Sequence, residues 1–160
     1  MNNKKASYLT LAAMIAALYV VLTYLSNAFG LANGAIQFRL SEALTILPFF
    51  TPAAIPGLAI GCFLSNLLTG CAALDIVFGT LATLLGAVGS YYLRRFKFAV
   101  TIPPVLANMV IVPWVLQTAY GVTDGFFYLM VTVGIGEIAM CMGLGSLLLV
   151  AFGKRAKAMF

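Results

Sequence analysis

Residues 98–123 read FAVTIPPVLANMVIVPWVLQTAYGVT, and no charged side chain stands among them. Lys97 bounds the stretch on one side and Asp124 on the other. A helix needs about 20 mostly apolar residues to cross a bilayer, so this segment is long enough. Working outward, residues 76–93 and 43–74 are also free of charge, and residues 125–153 hold only Glu137. Charged residues make up 8% of the chain and hydrophobic ones 63%. A soluble domain carries roughly 25% charged residues, so a water-facing surface cannot be built from this supply. In lipid every backbone polar group must find an internal partner, and apolar runs of this length indicate helices rather than barrel strands. The chain is expected to be a single-domain, all-α membrane protein.

The basic residues set the expected topology. Lys4 and Lys5 lie at the start, Arg94, Arg95 and Lys97 in the middle, and Lys154, Arg155 and Lys157 at the end. Basic clusters favour the cytoplasmic side, so each interval between clusters should hold an even number of spans. Spans are predicted near 7–28, 36–50, 52–70, 74–93, 98–120 and 126–152, a compact bundle of six transmembrane helices with both termini cytoplasmic. Only Arg39 among the nine basic residues then lies outside. The second span is short and crowded by Pro48, Pro52 and Pro56, which suggests a tilted or partly re-entrant segment. The run from Tyr8 to Leu25 exceeds the core of about 7–15 residues of a signal peptide, so it is expected to stay as the first span.

On this map the polar residues gather at one end. Arg39, Glu42, Asp75 and Asp124 fall at the outer ends of spans or in outer loops, with Glu137 in the outer half of the last span. Gln37, Asn66 and Gln117 join them, and Asn108 lies deeper. The inner half is nearly pure hydrocarbon. A cup open only to the outside suits capture of a solute and does not suit a channel, which needs polar lining throughout. Glu137 is the most informative residue, because a charge inside a membrane helix costs about 2.5–3.5 kcal/mol on insertion scales. Gly134 and Gly136 are expected to leave space beside it. The competing structural roles are an ion pair between Arg39 and Glu137, an i,i+3 pair between Arg39 and Glu42, an N-cap for Asp75 and a turn for Asp124. Small residues at Ala12, Ala13, Ala16 and Ala17 make a flat face on the first span. They suit close helix packing or docking of another protein.

Several classes are excluded. The net charge of +5 comes from small clusters that look like topology signals, so no nucleic-acid partner is expected. There is no histidine, and Cys62, Cys71 and Cys141 show no ligand spacing, so neither metal nor cofactor is expected. No phosphate-cradling loop, nucleophile elbow or catalytic triad is present. The chain is expected not to be an enzyme, and active transport would need energy from a partner.

The segments QFRLSEAL at 37–44, LPFFTPAAIPG at 47–57, LDIVFGTLAT at 74–83 and VGIGE at 133–137 resemble the integral-membrane substrate-binding (S) components of energy-coupling factor importers, and within them the queuosine-precursor transporter group. The likeness covers nearly the whole chain. It implies a non-enzymatic bundle in a prokaryotic cell membrane. Such a bundle captures a 7-deazaguanine queuosine precursor from outside, joins a transmembrane coupling (T) component and two cytoplasmic ATPases, and topples to release its ligand. Ala12, Ala13, Ala16 and Ala17 look like the face shown to the coupling partner. The residue types fit such a ligand. Adjacent N–H donors of a deazaguanine suit a carboxylate such as Glu137 or Glu42. Its carbonyl suits Arg39, Asn108 or Gln117, and its ring suits Phe38, Trp114 or Tyr120. Asp75 and Asn66 complete the expected site. Another flat nutrient, such as a flavin, pterin or purine, would also fit, and a stand-alone transporter of small solutes is the other alternative.

Overall fold

The computed structural model describes residues 3–31 and 36–151. The end cluster Lys154, Arg155 and Lys157 lies outside them. Five α-helices and one long 3₁₀ helix make up the bundle: α1 (Asn3–Ala28), the 3₁₀ helix (Leu40–Phe49), α2 (Ala54–Leu68), α3 (Ala73–Tyr92), α4 (Ile102–Ala119) and α5 (Phe126–Ala151). No strand occurs among the described residues. Four stretches are long and apolar enough to cross a membrane: Lys4–Ala28, Ala73–Arg95, Ala99–Ala119 and Phe126–Ala151. Their outer faces carry exposed Leu9, Met14, Leu81, Leu106, Val110, Val131 and Leu147. Such faces are stable against hydrocarbon and not against water.

The expected second span begins at Leu40 rather than residue 36, and it is a 3₁₀ helix over its full ten residues. At a rise of about 2.0 Å per residue it reaches about 20 Å, farther than the same residues would as an α-helix. That is less than the roughly 30 Å of a bilayer's hydrocarbon core, and the segment is not among the four stretches long enough to cross a membrane. Arg39 precedes it at the cup end, while Phe49 and Phe50 at its far end pack with Val100 and Leu149. Ser41 through Ile46 and Pro48 are all buried, and Leu40, Leu47 and Phe49 are half-buried, so protein encloses most of it. Irregular backbone is tolerated at membrane depth only when protein encloses it. The helix packs against α1, α2, α3 and the middle of α5.

Small residues set the helix spacing. A Cβ on Gly57 would lie 2.8 Å from the Ala12 carbonyl, and one on Gly61 would lie 2.7 Å from Tyr19 Cβ. Ala12 and Ala16 are therefore buried against α2, whereas Ala13 and Ala17 are exposed. This corrects the flat four-alanine docking face: helical spacing puts Ala12 and Ala16 on the side that α2 already occupies. On α3, Gly86 and Gly89 admit Pro104 and Pro103 of α4 in the same way.

The chain reverses sharply at the cup end. Helix α2 closes with Gly70 at φ +74°, the Gly70 N–H bonding Leu67 O and the Cys71 N–H bonding Asn66 O. Gly30 closes α1 in the same manner, at φ +69°. Left-handed backbone of this kind favours glycine. At the opposite end Tyr8 donates to Pro52 O and Ser90 to Val100 O. Lys4, Lys5, Arg94, Arg95 and Lys97 thus share the end away from Asp75.

Candidate ligand-binding cup

Two connected cavities open at the end that carries the acids. The wider one has a volume of about 580 Å³ and is lined by Arg39, Asp75, Tyr120, Gln37, Cys71 and Val112 among others. The deeper one holds about 20 Å³ and reaches Glu42, Glu137, Asn108, Thr83 and Gly79. Gln37, Arg39 and Val112 line both, so the deep cavity forms the floor of the wide one. The wide cavity lies in the range of small-molecule pockets, about 300–1,000 Å³, and the deep one has room for about one water.

Two uncommon backbone geometries build the floor. Glu42 stands on the 3₁₀ helix. Glu137 ends the regular first half of α5, which continues as a π-helix over Ile138–Leu144 before returning to α geometry. Such π segments are frequent at functional sites. The two elements meet closely because Gly136 faces the Gln37 carbonyl and Gly145 faces Ala43. Gly134 instead receives the Met109 side chain. The glycines therefore admit protein rather than leaving space for a ligand, which corrects the expectation drawn from the sequence.

The floor concentrates acceptors. Glu42 is 2% exposed and Glu137 is 9% exposed. One oxygen of each and the Cys141 sulfur all lie within 4.8 Å of one another. Tyr19 of α1 donates its hydroxyl to Glu42 Oε1, while Glu42 Oε2 is buried without a hydrogen-bond partner. Arg39 therefore does not neutralise Glu42 through a direct hydrogen bond at that oxygen. Cys141 Sγ bonds Glu137 Oε2 at 3.3 Å and Glu42 O at 3.4 Å, and Thr45 donates to the same sulfur at 3.4 Å. The Glu–Glu–Cys cluster has the donor types of a metal ligand set, although its spacing in sequence gave no such signal.

At the wider level, Tyr120 donates to Asp75 Oδ2 at 2.8 Å and accepts from Ala72 N at 3.1 Å. Burial, with the Asp75 carboxylate adding to it, pushes the Tyr120 phenol up from its ordinary range. Asp75 sits in the first turn of α3 and caps nothing, because the capping position is Ala72.

Of the residues expected in the site, Glu137, Glu42, Arg39 and Asn108 converge on the floor, and Asp75 and Tyr120 stand on the wall. The other four line neither cavity. Asn66 is buried behind α3 and donates to Asp75 O at 3.4 Å. Gln117 donates to Asp124 O at 2.9 Å. Trp114 points outward and packs edge-on against Phe78. Phe38 bonds Leu31 O through its backbone. Tyr19, Thr83 and Cys141 were not anticipated as site residues. The available signals were a tyrosine amid an apolar span and a cysteine one turn beyond the membrane acid.

Fold and cup together define an integral-membrane helical protein with a cavity that opens at the end carrying the acids. The family model described as QueT transporter matches residues 9–154, and the chain belongs to that family. A relative named queuosine precursor transporter QueT, from Lactococcus lactis subsp. cremoris (strain MG1363), is 37% identical over 98 residues. That match covers 61% of this chain and 57% of the relative's length. No solved structure matches the chain.

Proposed function

We propose that this protein is the membrane-embedded, non-enzymatic substrate-binding subunit of an energy-coupling factor importer in a prokaryotic cell membrane. It captures a queuosine precursor of the 7-deazaguanine type from outside. A transmembrane coupling component and two cytoplasmic ATPases drive release inward, and both termini lie in the cytoplasm. The observation that carries the reading is the Glu42–Glu137 pair at the floor of a cavity large enough for a base, with Arg39 and Asn108 beside it. Adjacent N–H groups of the base meet carboxylate acceptors, and its carbonyl meets Arg39 or Asn108. Charge-assisted hydrogen bonds contribute about 1.5–3 kcal/mol each. Tyr120 supplies the aromatic ring at the wall, where stacking adds about 1–3 kcal/mol. The relative's name supports the substrate, and the sequence resemblance supports the coupling partners.

The test is calorimetry on the purified protein with 7-deazaguanine, riboflavin and a pterin. Binding of 7-deazaguanine alone is expected. Riboflavin or pterin binding without 7-deazaguanine binding overturns the substrate.

A further inference from the structure

Two buried carboxylates within 4.8 Å of one another cannot both be charged without strong mutual repulsion, and pairs in such sites hold a proton. The groups facing this pair come from the surrounding elements: Tyr19 from α1, Arg39 ahead of the 3₁₀ helix, Cys62 from α2 and Cys141 from α5, while Asp75 of α3 faces Arg39. From α4 comes Asn108, which does not titrate. Arg39 is the one cation in this set, against three carboxylates.

Tyr19 makes the pair unequal. Its side chain is 1% exposed, and its hydroxyl donates to Glu42 Oε1. A donor of that kind favours the charged form of the acid it touches. Glu137 has the weakly polar Cys141 thiol at 3.3 Å, and the Asn108 amide faces both acids, so the Tyr19 hydroxyl is the donor that distinguishes them. Glu42 Oε2, buried and without a partner, is held at the cavity that Glu137 also lines.

We propose that Tyr19 is a positioning residue for capture: by holding Glu42 Oε1 it keeps Glu42 charged and Oε2 free, leaves the pair's one proton on Glu137, and so makes capture of an N–H edge release that proton. The proton leaves from the Glu137 carboxyl to water through the cup, and the ligand N–H groups take its place between the acids. This rests on the reading of the cup as the ligand site, but the proton itself is observable without ligand. Affinity then rises with pH through the range in which Glu137 gives up its proton.

Infrared spectroscopy on the ligand-free protein, in H₂O and D₂O, reads the proton directly through the carbonyl stretch of a neutral carboxylic acid. A band is expected at neutral pH in the wild type and in Asp124→Asn, and it is expected to be absent in Glu137→Gln. In Tyr19→Phe the band should persist to higher pH, since Glu42 no longer favours the charged form. That variant removes one oxygen from a packed ring, and size-exclusion behaviour checks its folding. Calorimetry with 7-deazaguanine in two buffers of different protonation enthalpy should count about one proton released per ligand in the wild type. Tyr19→Phe should bind roughly tenfold more weakly at neutral pH and recover as pH rises. Absence of the wild-type band overturns the proposal, as does a Tyr19→Phe pH profile matching the wild type. Loss of the band on adding Zn²⁺ at neutral pH, with Zn²⁺ retained through dialysis, also overturns it by making the cluster a metal site. Absence of 7-deazaguanine binding with the bands as expected leaves the proton assignment standing and removes the substrate reading alone.

Discussion

Tyr120 and Asp75 tie two helices together across the mouth of the cup. The Tyr120 hydroxyl, just past the end of α4, donates to Asp75 Oδ2 in the first turn of α3 at 2.8 Å. The Tyr120 hydroxyl oxygen also accepts the Ala72 N–H, so this one side chain bonds two groups at the N-terminal end of α3. Because Tyr120 is 46% exposed, Tyr120→Phe is expected to cost only about 0.5 kcal/mol, the low end for a net hydrogen bond. The phenol is pushed up by burial and by Asp75, so its contribution is fully present below about pH 10, the ordinary tyrosine range. It is lost as pH rises through the higher folded value. Thermal melts in detergent should therefore show an alkaline loss of stability in the wild type that is smaller in Tyr120→Phe.

The floor acids should matter far more to binding than acids elsewhere. Glu137→Gln places an N–H donor where a ligand N–H is expected, and leaves the ligand's own donor unpaired. The expected loss is at least about 1.5–3 kcal/mol, roughly tenfold or more. Glu42→Gln should behave alike, because Glu42 Oε2 is the free buried acceptor. Asp124 is exposed in the loop before α5, so Asp124→Asn should leave affinity within about twofold, consistent with the small effect of most exposed substitutions. Calorimetry with 7-deazaguanine measures all three. A folded Glu137→Gln protein with wild-type affinity removes Glu137 from the site.

Gly136 controls how closely α5 approaches the segment that carries Arg39. A Cβ there would run into the Gln37 carbonyl oxygen, and backbone cannot rotate away as a flexible side chain can. Gly136→Ala is expected to cost about 1–3 kcal/mol of stability, in the range of overpacked cores, and to weaken ligand binding by displacing Arg39. Gly143→Ala is the control. Its added methyl would meet only the Ile138 carbonyl at 3.9 Å, so it should melt at or slightly above the wild-type temperature. Equal melting and equal affinity for the two variants would dismiss the packing role of Gly136.

The helices were legible because charge is excluded from lipid: the charge-free runs mark the four long spans and α2 to within a few residues. Hydropathy does not distinguish a 3₁₀ from an α backbone, so the geometry of Leu40–Phe49 was not visible, nor was the π segment after Glu137. In the site, a membrane acid and its polar neighbours were readable from their cost. Of the three aromatic candidates Tyr120 reaches the wall while Phe38 and Trp114 do not, and for Trp114 the spacing contained the answer. Asn108, Val112 and Val115 recur at i, i+4 and i+7 along the inner face of α4, which leaves Trp114 on the outer one. Gln117 faces the loop it bonds. The role of Tyr19 depends on which face of α1 meets the 3₁₀ helix, a tertiary fact. Thr23–Ser41 and Ser26–Leu40 contacts extend the same seam.

That seam divides α1 into two working faces, and the division decides what a bulky substitution does. Ala16 is buried against α2, where Gly61 approaches its backbone. Ala16→Trp must force the helices apart, so it should lower stability by about 1–3 kcal/mol or more and disturb ligand binding with it. Ala13 is exposed on the flank of α1, beside Leu9 and Ala17, on a face that small residues make flat enough for another helix to approach. If that face docks the coupling component, Ala13→Trp should abolish uptake by cells while leaving the melting temperature and 7-deazaguanine affinity of the purified protein unchanged. Uptake assays on whole cells and calorimetry on detergent-purified variants measure the two effects separately. Normal uptake by Ala13→Trp would show that the coupling partner docks elsewhere. Lost binding in Ala13→Trp would show instead that this face supports the fold.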